Sequence, residues 1–311
     1  LDPESALLLH EILPRHGPQP GMTPDEMRAA ATALAHRVQG DPPPVGPVRD
    51  HHKPTPAGHL PLRSYAPLPA ADGKVPGLMV WLHGGGFTTG GLDTHDTLCR
   101  QLCAQSGQVI VSVDYRLAPE HRFPAAVEDS LSALVWAADH AVALGARPGA
   151  LAVGGSSAGG NLAAAVCLMA RDRGGPAIRH QALVYPVVDA TMRHDSYRRH
   201  ATGFQLTSAA MAGYLANYMP PGLDPRTPRL SPLFAPTLAG LPPAHVVSAE
   251  LDPLADEVAA YADRLDAAGL LLRHDRFDGV MHGFFGQAGV LAKARAAQAA
   301  VCSLLADALA P

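Results

Sequence analysis

The spacing of apolar and polar residues predicts alternating strands and helices over most of the chain. Short apolar runs such as GLMVWLH, QVIVSVDY and HQALVYPVV are typical of strands buried on both faces. Between them lie longer stretches with helical periodicity, among them PAAVEDSLSALVWAADHA and DEVAAYADRLDAAG. Buried strands that alternate with amphipathic helices predict an α/β fold, with a parallel sheet covered by helices on both faces.

Three regions depart from this alternation. Residues 1–45 look helical and then proline-rich, with Thr23 as the predicted N-cap and Pro24 as the first helical residue. Residues 47–67 suggest a β-hairpin, because their short apolar runs are broken by proline and glycine. Residues 189–230 form a polar and helical insertion between a strand and the next repeat. An insertion of this length predicts a lid or binding element at one end of the sheet.

Composition narrows the class of partner. Charged residues make up 17% of the chain, the net charge is −4, and no long block carries one sign, so we expect no nucleic-acid partner. No apolar run reaches the roughly 18 residues of a membrane span. We therefore expect a soluble, cytoplasmic protein that acts on a small, uncharged or weakly charged molecule.

Two of the cysteines share a helical spacing with a histidine, as the ligands of a metal site can. His95, Cys99 and Cys103 recur at one-turn intervals, which makes such a site conceivable, but no CxxC or HxxxH spacing accompanies them. The two thiols are therefore predicted to be buried on the inner face of a helix. With four cysteines in the chain, a disulfide framework is not expected.

The segment VGGSSAGGNLA places two serines between two glycine pairs, directly after a predicted strand. Ser157 fits the G-x-S-x-G pattern of a nucleophile elbow through Gly155 and Gly159, whereas Ser156 gives a loose match that ends on Ala158. Small residues are needed at such a sharp turn because strand and helix backbones crowd together. The spacing therefore predicts Ser157 as a nucleophile.

A second glycine-rich motif, WLHGGGF, follows an earlier predicted strand. Consecutive glycines let the backbone approach a substrate oxygen closely, so the N–H groups of Gly84 and Gly85 are predicted donors of an oxyanion hole. The N–H of Ala158, at the start of a helix, would be the third donor. Either motif alone is also typical of a turn without chemistry, but together they fit acyl transfer, which needs donors facing the nucleophile from another loop.

A serine nucleophile needs a base, and the chain has 16 histidines. His282, in DGVMHGFFG, follows the last predicted strand and suits the order Ser, acid, His of α/β-hydrolases. Asp252, at the end of the penultimate strand, is favoured as the acid over Glu250, and it would hold the neutral tautomer of His282. Asp256 and Glu257 fall in a first helical turn, where acids commonly interact with the helix dipole.

Together, the motifs HGGGF, YRLAPEHRFPAAVED, GSSAGGNLA, SAELDPLADE and HGF resemble the bacterial hormone-sensitive lipase-like family (family IV) of α/β-hydrolase esterases. The resemblance covers residues 61–285. It implies an α/β-hydrolase fold with a central, mostly parallel eight-stranded sheet flanked by helices, and a helical cap. It divides the chain into the ranges 1–45 (N-terminal part of the cap), 46–188 (first part of the core), 189–230 (cap insertion) and 231–311 (second part of the core).

The family's catalytic triad carries over to Ser157, Asp252 and His282, and its oxyanion hole to the HGGG glycines and Ala158. One position departs from the pattern. Relatives read GDSAGG or GTSAGG, whereas this chain has Ser156 at the Asp or Thr position, which puts the local hydrogen bonding in doubt but not the nucleophile.

Other side chains allow two interpretations each. Arg116, Glu120 and Arg122 are predicted to form structural salt links in a turn, with substrate contacts as the alternative. Phe284 and Phe285 fit a pocket wall or a loop anchor equally well. Four residues on the cap side are candidates for lining an acyl pocket, with ordinary cap packing as the favoured interpretation of each: Tyr185, Phe204, Leu206 and Met211.

The resulting expectation is a serine carboxylesterase for short- to medium-chain esters that works through an acyl-enzyme and requires no metal or organic cofactor. Its expected partner is a small-molecule ester, and two copies are predicted to pair through the edge strand LLRHDRF. The alternatives are a lipase or amidase of the same superfamily, or an inactive ligand-binding protein on the same fold. Inactive relatives of that kind lack the histidine, so His282 favours an enzyme.

Overall fold

The computed structural model describes residues 1–18, 21–56, 58–70 and 73–311. Its strands are β1 (Val48–Thr55), β2 (Gly58–Tyr65), β3 (Leu78–Leu82), β4 (Val109–Val113), β5 (Leu151–Ser156), β6 (His180–Val184), β7 (Ala244–Leu251) and β8 (Leu271–Met281). Its α-helices are α1 (Pro3–Leu7), α2 (Leu13–His16), α3 (Pro24–Val38), α4 (Asp96–Ser106), α5 (Ala125–Asp139), α6 (Ala158–Arg173), α7 (Ser196–Arg199), α8 (Ser208–Tyr218), α9 (Ala255–Ala267) and α10 (Ala292–Ala308).

Within the described residues, the strands form a single eight-stranded sheet in the order β1-β2-β4-β3-β5-β6-β7-β8. The strands β1 and β2 pair antiparallel, as the hairpin prediction required, and β2 is antiparallel to β4. From β4 to β8 every pairing is parallel. The predicted mostly parallel α/β fold is therefore confirmed.

The central strands are buried along their full length. All residues of β3, β4, β5 and β6 are buried, because helices cover both faces of the sheet. One apolar cluster packs α5, α6 and α9 against one face, and a second packs α4 and α10 against the other. This double cover explains why the apolar runs of the sequence show no alternation.

The strand β8 is longer than the sequence suggested. The predicted strand LLRHDRF ends at Phe277. Instead the strand continues to Met281 through an irregular pairing, with Gly279 at φ +72° and its N–H bonded to Glu250 Oε2 at 2.7 Å. Position β8 lies at one edge of the sheet, and the pairing of two copies through it stays a prediction.

The parallel strands bring four loops to one edge of the sheet. The HGGG loop follows β3, Ser157 follows β5, and Asp252 and His282 follow β7 and β8. Ligands of open α/β sheets bind outside the carboxyl ends of the strands, so we expect a binding site at this edge. No helix among the described residues has the length and apolarity to cross a bilayer. The boundaries between core and cap stay a prediction.

Candidate active site

Ser157 occupies a strained turn between β5 and α6. Its φ of 58° and ψ of −119° lie in a region that side chains other than glycine rarely adopt. The turn is held by Ser157 N–H, which donates to Val184 O at 2.9 Å, and by Ser157 O, which accepts from Asn161 N–H at 3.0 Å. These two backbone hydrogen bonds therefore hold Ser157 in its strained conformation at the edge of the sheet.

The two glycines of the motif are required by space. A Cβ on Gly155 would lie 2.4 Å from Gly159 O, and one on Gly159 would lie 1.9 Å from Leu82 O. Neither position accepts even alanine without moving the backbone, because real Cβ atoms do not approach oxygen that closely. Close packing of the backbone therefore explains why glycine stands two residues before and two residues after Ser157.

A hydrogen-bond chain joins the predicted serine, histidine and aspartate. Ser157 Oγ lies 2.8 Å from His282 Nε2, and His282 Nδ1 lies 2.7 Å from Asp252 Oδ2. Since a carboxylate only accepts, Nδ1 carries the proton and Nε2 is free to accept from the serine hydroxyl. The second oxygen of Asp252 accepts from Leu254 N–H at 2.9 Å, so the carboxylate is held on both sides.

The competing acids lie elsewhere. Glu250 bonds Gly279 N–H, and Asp256 pairs with Arg199 at 2.6 Å. Glu257, predicted as an acid in the first turn of a helix, lies in that turn of α9 and is completely buried. Its carboxyl accepts from the N–H groups of Val188 and Asp189 and contacts the hydroxyl of Tyr197 at 2.9 Å. Burial raises the pKa of Glu257 well above its usual range.

The peptide planes of the HGGG loop are fixed from behind. Gly84 O accepts from His83 Nδ1–H at 2.8 Å, and Gly85 O accepts from Thr88 N–H at 3.0 Å and from Thr89 N–H at 2.9 Å. In a planar trans peptide the C=O and the following N–H point in opposite directions. The N–H groups of Gly85 and Gly86 are therefore directed away from these contacts, and both glycines line the cavity described below.

The Gly84 N–H has a partner of its own, since it donates to His95 Nε2 at 3.4 Å. The Nδ1 of His95 lies 2.9 Å from Thr94 Oγ1, whose own proton goes to Gly91 O. Nδ1 is thus the donor and Nε2 the acceptor. Burial, together with the neighbouring His83, lowers the pKa of His95 to about 3, so the ring stays neutral.

This geometry favours Gly85 and Gly86 over the predicted pair Gly84 and Gly85 as oxyanion donors. Among the described residues no acceptor lies at the N–H of Gly85 or Gly86. Ala158, the third predicted donor, is the first residue of α6, where N–H groups have no acceptor inside the helix. Gly86, the third glycine of the same motif, is not among the donors predicted from the sequence.

A cavity of about 840 Å³ opens over these groups. It is lined by Ser157, His282 and the HGGG glycines on one side, and by cap residues on the other. Apolar side chains dominate where α2 and α3 meet it, whereas polar ones are frequent around α8. The apolar set includes Leu13, Met27, Ala31, Leu34 and Val38, and the polar set Gln205, Thr207, Tyr214 and Asn217.

The four cap-side candidates from the sequence, Tyr185, Phe204, Leu206 and Met211, all line this cavity. The ring of Tyr185 also lies 4.6 Å from that of His282.

Four of the remaining candidates, Phe284, Phe285, Cys99 and Cys103, lie outside the cavity lining. Phe284 and Phe285 are fully buried, and Phe285 stacks on Trp81 at 5.9 Å, which fits loop anchors. Ser156 faces the cavity beside Gly84, but the bond to His282 is made by Ser157. Cys99 and Cys103 are buried thiols, and no group of three metal-binding side chains occurs in the described ranges.

The turn YRLAPEHRF makes the structural contacts expected of it. Arg116 pairs with Asp129 at 2.8 Å, and Arg122 donates to Met219 O at 2.8 Å. Glu120 pairs with Arg28 of α3 at 2.7 Å. None of the three lines the cavity. The sequence indicated salt links, and Arg116 and Glu120 form them, whereas Arg122 bonds a backbone carbonyl. Sequence did not indicate that the contacts of Glu120 and Arg122 lead to α3 and to the end of α8.

Comparisons with known proteins agree with this fold. A family model described as an alpha/beta hydrolase fold matches residues 79–286. The chain is 47% identical over 243 residues to the carboxylic ester hydrolase LipN of Mycobacterium tuberculosis, a match that spans 76% of this chain and 64%, under two thirds, of LipN. It is 36% identical over 287 residues to an ethyl acetate hydrolase of Pseudomonas putida, covering 91% and 89% of the two chains.

A solved structure extends the likeness over the whole chain. The esterase of the archaeon Pyrobaculum calidifontis superposes with a TM-score of 0.91 at 38% identity, and the match covers 100% of this chain and 99% of that one. The family model spans more than half of the present chain. The chain therefore belongs to the hormone-sensitive lipase-like family of α/β-hydrolase esterases, a family of carboxylic ester hydrolases.

Proposed function

We propose that the protein is a serine carboxylesterase in which Ser157 is the nucleophile, His282 the general base and acid, and Asp252 the carboxylate that orients His282. The observation that supports this most strongly is the unbroken chain of short hydrogen bonds from Ser157 Oγ through the imidazole to Asp252. Asp252 is completely buried, so its charge is screened little by water and is available to stabilise the imidazolium.

The reaction follows from where the protons lie. His282 Nε2 takes the hydroxyl proton as Ser157 Oγ attacks the ester carbonyl, and the imidazolium then gives that proton to the leaving alcohol. Water repeats the two steps on the acyl-enzyme. The developing oxyanion is stabilised by the N–H groups of Gly85, Gly86 and Ala158, which need no reorganisation at the moment of attack.

We further propose esters with short to medium acyl chains as substrates. The cavity is within the size range of small-molecule sites, and residues of the predicted cap form one of its walls. The apolar wall from α2 and α3 suits an alkyl chain. The ethyl acetate hydrolase among the relatives acts, by its name, on a short ester.

Hydrolysis of p-nitrophenyl butyrate by wild type, Ser157→Ala and Ser156→Ala tests the proposal. Ser157→Ala is expected to lower kcat by at least about a thousandfold, because only binding and the oxyanion hole remain. Ser156→Ala is the matched control and is expected to retain most activity. Folded wild type without turnover, or a large loss in Ser156→Ala with little in Ser157→Ala, contradicts the assignment.

The same assay with acetate to laurate esters tests the substrate class. We expect kcat/KM to be highest at butyrate or hexanoate and to fall for longer chains. A maximum at laurate would point to a lipase instead. Hydrolysis of the matching p-nitroanilides at comparable rates would point to an amidase.

A further inference from the structure

The guanidinium of Arg28 contacts the backbone that follows the HGGG glycines, and Arg28 is not among the residues that line the cavity. Arg28 belongs to α3, yet its Nε donates to Thr88 O at 3.0 Å and its Nη2 to Ala118 O at 3.2 Å. The remaining donors pair with Glu120, at 2.7 and 3.0 Å, and with Asp25. A helix of the N-terminal segment is thus fastened directly to the backbone that follows HGGG.

Thr88 and Thr89 both bond Gly85 O, and Thr88 is the one of the two that also bonds Gly86 O. The N–H of Thr88 donates to Gly85 O at 3.0 Å and its hydroxyl to Gly86 O at 3.1 Å. These bonds set the peptide planes, and the direction of Gly86 N–H follows from the position of Gly85 O. A rotation of Thr88 would therefore turn an oxyanion donor away from its target.

Arg28 bonds the carbonyl of Thr88, the one polar group of Thr88 that does not contact the glycines. The carbonyl of Thr88 accepts from Arg28 Nε, while its N–H and hydroxyl face the glycines. Ala118, the second backbone contact of Arg28, donates its N–H to Phe87 O at 2.8 Å, inside the same turn. Arg28 therefore holds the turn of residues 85–89 at two points, directly at Thr88 and through Ala118 at Phe87.

The opposite side of the turn is also held by a cap helix. A Cβ on Gly86 would lie within 2.3–2.6 Å of ring atoms of Tyr214, so the α8 side chain packs against the glycine backbone. One turn later, Tyr218 stacks on Phe87 with ring centroids 3.9 Å apart. Aromatic contacts hold the turn in place from above, but they impose no direction on a peptide plane, whereas hydrogen bonds from Arg28 do.

We propose that Arg28 is a positioning residue for the oxyanion hole, so that seating of α3 on the core sets the donor geometry of Gly86. This rests on the proposed function, since it assumes that the HGGG donors stabilise a tetrahedral intermediate. Arg28 touches neither cavity nor substrate, and its effect therefore falls on the transition state and not on substrate binding.

Arg28→Met removes every donor but keeps an unbranched apolar stem on α3. Loss of one oxyanion donor lowers kcat by about 10²–10³, so a misdirected but present donor is expected to lower it by about tenfold with KM nearly unchanged. Arg28→Lys, which keeps the charge but cannot reach both carbonyls, is expected to give an intermediate loss.

Two controls separate this role from a merely structural one. Glu120→Gln removes the ion pair that anchors α3 but leaves the carbonyl contacts of Arg28, and it is expected to change kcat by less than about threefold. Arg171→Met removes a comparable clamp, on Thr237 O and Ala239 O, in another part of the fold. It is expected to lower the melting temperature without changing kcat.

A transition-state probe gives a second readout. Trifluoromethyl ketones form an oxyanion on the serine, whereas the corresponding methyl ketones bind mostly without reaction. Their ratio of inhibition constants is expected to shrink in Arg28→Met by the same factor as kcat, and to stay at the wild-type value in both controls. All variants are assayed at 25 °C after a thermal melt has shown them folded. If Arg28→Met does not fold, Arg28→Lys decides by the same criteria.

The inference is overturned if folded Arg28→Met keeps the wild-type kcat and ketone ratio, or if Glu120→Gln matches its losses. Failure of the proposed function looks different, because wild type would then show no turnover and no preference for the fluorinated ketone.

Discussion

The two walls of the cavity are built in different ways. On the core side, Ser157, Asp252 and His282 each follow directly on a strand of one sheet, so the pairing of β5 to β8 fixes their relative positions. On the cap side, α3 and α8 are far apart in sequence and reach the core through separate polar contacts such as Arg28 with Thr88 and Arg122 with Met219. The chemistry thus depends on the sheet, and the loop geometry and substrate fit depend on side-chain clamps.

The largest expected effect lies on the core side. Asp252→Asn should lower kcat by about 10⁴, because an amide at this position no longer holds the tautomer that the serine needs. Glu250→Gln is the control, since Glu250 bonds Gly279 and not His282. Initial rates with p-nitrophenyl butyrate measure both. Equal losses in the two variants would contradict the choice of acid.

The next effect lies where the two walls meet. Gly86→Ala places a methyl group within 2.6 Å of the Tyr214 ring, at a residue whose φ is 58°. We expect kcat to fall by about a hundredfold, since misplacing a donor by about 1 Å can cost that much. Adding Tyr214→Ala should recover part of the loss by removing the clash. An active Gly86→Ala single variant would mean that this turn does not set the donors.

A smaller effect concerns stability where the cap insertion leaves the sheet. The raised pKa of Glu257 means that its contribution to stability is complete below the unfolded-state pKa of about 4.3. That stability is lost as pH rises toward the folded-state pKa, by about 1.4 kcal/mol per pH unit. Glu257→Gln keeps acceptor and donor in place but does not ionise. Urea midpoints from pH 5 to 8 should therefore fall more steeply for wild type, and parallel slopes would contradict this.

The smallest effect lies on the apolar cap wall. Ala31→Phe fills part of the cavity where α3 lines it. We expect the ratio of kcat/KM for hexanoate over acetate esters to fall about fivefold, because one or two lost methylene contacts are worth about that much. An unchanged ratio in both an acyl-chain and an alcohol-chain series would mean that the alkyl chain does not reach α3.

Much of the core could be predicted because its signals are local. Strands buried on both faces have few alternatives in sequence, and G-x-S-x-G identified Ser157 because the crowding of Gly155 and Gly159 is a property of the turn itself. The chain order of the motifs then restricted the base to His282. The geometry leaves the roles of these residues a proposal, but it brings all three together.

What sequence reasoning missed depends on contacts between distant segments. Which HGGG peptides point at the cavity is decided by His83, Thr88 and His95, and no spacing rule encodes a peptide plane. In the sequence, Glu257 has the pattern of an ordinary charge at the start of a helix. In the fold its carboxyl is buried and contacts the hydroxyl of Tyr197, a residue 60 positions earlier in the chain. In the sequence, Arg28 has the pattern of a solvated helix residue. Its acceptors, Thr88 O and Ala118 O, belong to segments that only the fold brings next to it.

The central claim, that Ser157 is the nucleophile of an acyl-transfer site, is tested most directly by locating the covalent adduct. Wild type, Ser156→Ala and Ser157→Ala are treated with an alkyl p-nitrophenyl phosphonate, and the modified residue is identified by tandem mass spectrometry of the peptide that spans the motif. We expect one stoichiometric adduct on Ser157 in wild type and in Ser156→Ala, and no adduct in Ser157→Ala. An adduct on Ser156, or no adduct on folded wild-type protein, would contradict it.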